Sequence, residues 1–65
     1  MWVQPSEHET LLFSIQAMRE KGLKKREIET GIYEPARLNP DILKLERIVK
    51  PYRGSRIFRL MLHAS

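Results

Sequence analysis

The chain has 65 residues, 42% hydrophobic and 31% charged, with no cysteine and a formal net charge of +4. Such a length admits one small domain over residues 1–65 that buries only about 60% of its unfolded surface, which excludes a large enzymatic core. The missing thiols exclude disulfide staples and thiolate metal sites, so helix packing must hold the chain.

Met1 to Glu9 lacks the basic start and small-residue cleavage site of a signal peptide. The longest apolar cluster near it, Leu11-Leu12-Phe13, falls far short of the roughly 20 residues of a membrane span. The expectation is an intracellular protein with no membrane partner. Trp2-Val3 is a candidate for a minor strand. Ser6-Glu7-His8-Glu9 then reads as a helix start, a capping box in which the Ser6 hydroxyl accepts from the Glu9 amide and the Glu9 side chain reaches back. A first helix follows over residues 7–21, with Leu11, Ile15 and Met18 as its stripe, Leu12 and Phe13 widening it, and Lys21-Gly22 as its stop.

Leu23 to Thr30 predicts a second, shorter helix, with Leu23, Ile28 and Ile32 inward and Gly31 as its stop. Its first turn, Lys24-Lys25-Arg26, conflicts with the positive end of the helix dipole. Two readings stay open: a phosphate site made with free backbone N–H groups, or a solvated basic turn offset by Glu27 and Glu29. Pro35 and Asn39-Pro40 turn the chain, with room for one helical turn from Pro35. Asn39 as N-cap, Pro40 at the first helical position and Asp41 in the first turn open a third helix. Ile42, Leu45 and Val49, with Ile48 beside them, are its apolar stripe, and Pro51 ends it at or before Lys50.

The last segment, Tyr52 to Leu62, fits two periods. Phe58, Leu60 and Leu62 alternate as in a strand, and Arg53-Gly54 can turn a hairpin against Val49 to Tyr52. Ile57, Leu60 and Met61 fit a helix that Ser55 would cap. The strand is the leading expectation. The fold class expected is therefore α+β, mainly helical, three helices with a short C-terminal β-hairpin; the alternative is an all-α small helical bundle.

Catalytic chemistry finds no support in the residues. His8 and His63 lie near opposite ends, without the spacing of a metal motif. Ser6, His8 and the scattered acids form no nucleophile arrangement. Gly22, Gly31 and Gly54 are isolated and make no phosphate loop. No enzyme, metal or cofactor is expected.

Charge carries the stronger signal. Residues 1–20 hold three glutamates against Arg19, a net −2, whereas residues 21–65 hold eleven cations against five anions, a net +6. From Lys44 a cation recurs at every third position: Lys44, Arg47, Lys50, Arg53, Arg56 and Arg59, with no acid after Glu46. Arginine forks suit phosphates and guanine edges, and Tyr52 and Phe58 are interleaved for stacking. Pro51 and Gly54 divide this ladder into a helical group and a turn-and-strand group, and Lys44, Arg47 or Lys50 can equally pair with Asp41 or Glu46 along the third helix.

The order helix, short helix, helix, basic turn and terminal apolar strand resembles the winged-helix and helix-turn-helix families, with Lys21-Gly22-Leu23-Lys24-Lys25-Arg26-Glu27-Ile28-Glu29-Thr30-Gly31-Ile32 similar to their helix 2 and turn. In the strict motif Glu27, Arg26, Thr30 and Arg37 stand where small or apolar residues are usual, and only Ile32 fits. The resemblance implies a looser winged-helix variant, with Lys44 and Arg47 reading a groove and Arg53 and Arg56 on a wing. The function expected is a small basic protein that binds double-stranded DNA as a transcriptional or replication accessory regulator, through Lys24, Lys25, Arg26, Lys44, Arg47, Lys50, Arg53, Arg56 and Arg59. The alternatives are a protein–protein adaptor or inhibitor domain, with Trp2, Tyr33, Tyr52 or Phe58 at an interface, or an RNA-binding ribonucleoprotein component.

Overall fold

Ser6 opens the first element: in the computed structural model, which describes residues 6–65, its hydroxyl accepts from the Glu9 N–H at 3.2 Å. This is the Ser6 half of the expected capping box, and α1 runs Glu7–Glu20 from it. Glu7 and Glu9 in the first turn and Arg19 in the last all complement the helix dipole. Leu11, Ile15 and Met18 are wholly buried. Phe13 instead faces outward, because the buried stripe at positions 11, 15 and 18 turns position 13 away from the core. The suggested strand at Trp2-Val3 lies outside the described residues.

The second helix, α2, spans Lys25–Thr30, with Lys24 as its cap. The Glu27 carboxylate accepts the Lys24 N–H at 3.0 Å, so an acid three residues inside the helix caps it in place of a Ser or Thr. Leu23 and Ile28 enter the core, but Ile32 does not. Gly31 ends α2 in the left-handed region at φ 75° and turns the chain before Ile32 can follow the helical stripe. A Cβ at Gly31 would also lie 2.6 Å from Arg53 Nη1. Gly31→Ala is therefore expected to cost about 2 kcal/mol, strained backbone plus a displaced arginine. Gly22→Ala, with nothing within 4 Å of its Cβ, should cost about half that, as thermal melts of the two variants will read.

A 3-10 turn at Pro35–Arg37 realises the expected turn after Pro35. Asn39 then accepts the Ile42 N–H on Oδ1 at 2.9 Å, and α3 runs Pro40–Val49. Ile42 and Val49 are buried, with Leu45 packed against them. A second 3-10 turn, Lys50–Tyr52, carries the chain through Pro51.

The C-terminal segment is helical, which overturns the expected hairpin. The fourth helix, α4, spans Arg56–Ala64, and among the described residues there is no strand. Three local causes favour it. Gly54 turns at φ 94°; the Ser55 hydroxyl accepts the Phe58 N–H at 3.2 Å as an N-cap; and Leu, Met and Arg are strong helix formers. Phe58 and Leu62, four apart, enter the core with Ile57 and Met61 beside them, while Leu60 is exposed. A strand would have buried Leu60 with its alternating neighbours.

The described chain is thus an all-α bundle, as in the alternative fold reading. Helix α1 packs on both α3 and α4, and α2 packs on α4 and α1. Their shared core is Leu11, Ile15, Met18, Leu23, Ile28, Ile42, Val49, Phe58 and Leu62.

Candidate interaction surface

Two glutamate–arginine clamps hold arginines to the fold, and one of them takes Arg53 out of the ladder. Glu46 lies on α3 one residue from the buried face, which aims its carboxylate across the connection to Arg53. Arg53 grips it with both terminal nitrogens, Nη1 to Oε2 and Nη2 to Oε1 at 2.6 Å each. The same guanidinium donates through Nε and Nη2 to the Ile28 carbonyl at the end of α2, at 3.1 Å each. The Tyr33 hydroxyl donates to Glu46 as well. Both charged side chains are only 19% exposed. Arg53 hydrogen bonding holds the Glu46 carboxyl below its ordinary range, against the opposing effect of burial. Burial, then Glu46, pushes the Tyr33 hydroxyl well above its ordinary value, so it remains a donor at neutral pH.

The second clamp centres on Glu27, which accepts from the Lys24 and Glu34 amides and from the Arg37 guanidinium. The Lys24 amide is the chief cause of its lowered pKa. Of the two readings left open for the start of α2, the phosphate site loses the Lys24 N–H, which the Glu27 carboxylate already takes.

The nine candidate cations therefore have unequal roles. Arg53 is structural, and its assignment to a wing falls with the hairpin. Lys25 is half-buried and reaches the His63 carbonyl at the end of α4 at 3.5 Å. Arg56 opens α4 and, with Arg59, stands exposed on that helix and not on a wing. Lys24 and Arg26 are exposed on and beside α2. Lys44, Arg47 and Lys50 are exposed at α3, and the acids considered as their partners are engaged elsewhere: Asp41 lies 3.5 Å from Lys21, and Glu46 holds Arg53. The cations are spread over three helices and do not form one row.

The surface the sequence reading missed is apolar. Phe13 is 75% exposed, and with Thr10, Ser14, Leu45 and Ile48 it lines a groove of about 470 Å³ between α1 and α3, with Glu9 at one end. The Ser14 hydroxyl donates to the Thr10 carbonyl within its own helix at 2.8 Å, so it offers the groove no free donor. A hollow of about 330 Å³ adjoins through Leu45 and is lined by Ala17, Lys21, Asp41 and Lys44. Covering one phenylalanine stabilises by about 1.5–3 kcal/mol, so this face gains by acquiring a partner. Of the aromatics proposed for an interface, Phe58 is core, while Tyr33 and Tyr52 pack against the core; Trp2 lies outside the described residues. The signal for Phe13 was available in its position, 100° per residue around a helix whose stripe is already complete.

Among the described residues no three His, Asp or Glu side chains gather as a metal site, and no helix is long and apolar enough to cross a membrane. Comparison with protein-family models, curated proteins and solved structures finds no match to this chain.

Proposed function

We propose that the domain is a non-enzymatic protein-interaction module whose working surface is the α1/α3 groove and the basic edge of α3. The observation that carries this is Phe13, 75% exposed and continuous with Leu45 and Ile48 in one apolar groove. Clustered apolar exposure of this kind suits the apolar face of a partner helix, read as anchors one turn apart. Exposed Leu43 and Ile48 are interleaved with Lys44 and Arg47 on α3, and a phosphate backbone gains nothing from apolar side chains. Carboxylates on a partner would meet Lys44, which borders the hollow beside the groove. Nucleic-acid binding is the second reading, favoured by the exposure of Lys44, Arg47, Lys50, Arg56 and Arg59.

Amide chemical-shift titrations separate the two. A short amphipathic peptide with leucines at helical spacing and glutamates on its other face is expected to shift Phe13, Ser14, Leu45 and Ile48, and Phe13→Ser should abolish the response. A DNA duplex should give only weak shifts around the exposed cations. The reverse pattern, an inert groove and strong, salt-sensitive shifts over residues 44–59 with duplex, would replace the interaction reading by the nucleic-acid one.

A further inference from the structure

We infer that the occupant of the groove is a second copy of this chain, packed about a twofold axis with the two α1 helices antiparallel and Phe13 of each copy seated against Ala17 of the other. The inference rests on the interaction reading of the same groove and names its partner.

Side chains follow a fixed order along one strip of α1 and its C-cap, Lys21. Glu9, Phe13, Ala17 and Lys21 follow one another at intervals of four residues, about 6 Å per step, along a strip that winds by about 40° per step. Glu9 and Phe13 border the apolar groove, while Ala17 and Lys21 border the adjoining hollow together with Asp41 and Lys44 of α3, two cations against one acid. The strip therefore reads acid, ring, hollow, base. Turned end for end, it matches itself: with Phe13 over Ala17 of the other copy, Glu9 arrives at the other copy's Lys21 and Lys44. A parallel placement in register would set Glu9 against Glu9 and leave the hollows empty. Self-complementarity under a twofold is the requirement for a closed, isologous dimer.

Charge and size support the same arrangement. Helix α1 holds the acidic excess, Glu7, Glu9 and Glu20 against Arg19, while every other part of the chain together is basic. Contact through α1 thus brings the two copies together at their least repulsive face. Lys44 has no ion pair among the described residues, and Lys21 is held only by the exposed 3.5 Å pair with Asp41, which is weak enough to exchange. Ala17 supplies the small side chain over which a ring can seat. Two rings meet two hollows, and both apolar faces are covered at once.

Sedimentation equilibrium on the full chain tests this between about 10 µM and about 1 mM, the range over which a small dimer responds to mass action. A reversible monomer–dimer equilibrium is expected. Phe13→Ser should weaken it at least about tenfold, as loss of a central aromatic anchor does. Glu9→Lys and Lys44→Glu should each weaken it, and the double exchange should recover most of the affinity. All three positions are exposed, so circular dichroism should report an unchanged fold. A chain that stays monomeric throughout, or a dimer indifferent to Phe13→Ser and to the charge exchange, overturns the inference. Should that monomer still bind the amphipathic peptide through Phe13, the interaction reading stands and only the second copy falls; should it bind neither, both fall. A chain that dimerises only after deletion of residues 1–5 would assign the groove to its own N-terminus and also overturn the inference.

Discussion

Phe58→Ala is expected to leave the domain unfolded at 25 °C. Phe58 is the bulkiest fully buried side chain, 1% exposed, on a helix that packs against both α1 and α2. Truncating such a residue costs about 3–5 kcal/mol, transfer plus cavity. A single core of this size rarely supplies more than about 3–5 kcal/mol in total. The far-UV signal of helix and the cooperative thermal transition should both disappear. Leu60→Ala provides the internal contrast: two residues away but exposed, it should change stability by less than about 0.5 kcal/mol. If both substitutions were equally severe, the C-terminal segment would have the alternation of a strand and the α4 helix would be wrong.

Arg53→Ala is expected to destabilise by about 3 kcal/mol, because it leaves the Glu46 carboxylate largely buried without its countercharge and frees the Ile28 carbonyl of two donors. Arg53→Lys should recover only part, since an ammonium keeps the charge but not the fork that engages Glu46 and Ile28 together. Arg53→Glu would set a second carboxylate against Glu46 and is the most damaging of the three. A loss of ligand binding in any of these variants would therefore report lost fold, and Lys44 or Arg47 is the sound position at which to test charge. The same clamp sets the acid limit. Glu46 and Glu27 both have folded pKa values lowered from 4.5. The stability they contribute is fully present above that unfolded value and is lost as pH falls through the lower, folded ones. Melting temperature should accordingly drop below about pH 4.5, and Glu46→Gln, less stable at neutral pH, should show a shallower acid limb.

What could be read locally was read from the chain itself. Asn39-Pro40-Asp41 carries a cap, a fixed φ and a dipole-matching charge within three residues, and it placed α3 correctly. Ser6 did the same for α1. The C-terminal segment failed because its apolar residues satisfy periods of two and of 3.6 over too few positions to separate them. Ser55 and the helix-forming side chains then decided the outcome. Arg53 was misread for a different reason. Its partners Glu46, Tyr33 and Ile28 lie 7, 20 and 25 residues away in sequence, and only the tertiary fold brings them to one guanidinium. The exposed groove was missed because Phe13, inside an apolar run, was read as widening the stripe, although its angle, about 200° from Leu11, already turned it outward.

The two clamps have a consequence for the connection between α2 and α3. Residues 31–39 are fastened at Tyr33, Glu34 and Arg37 to anchors on Glu27, Glu46 and Arg53, whereas Ile32, Ala36 and Leu38 between them face solvent. Position and chemistry are thereby uncoupled along this stretch. The anchoring residues set its path, and the intervening ones are free to be exchanged without altering that path. The segment is a ready graft site, where a short recognition sequence can be displayed in a defined conformation at little risk to the helices that carry it.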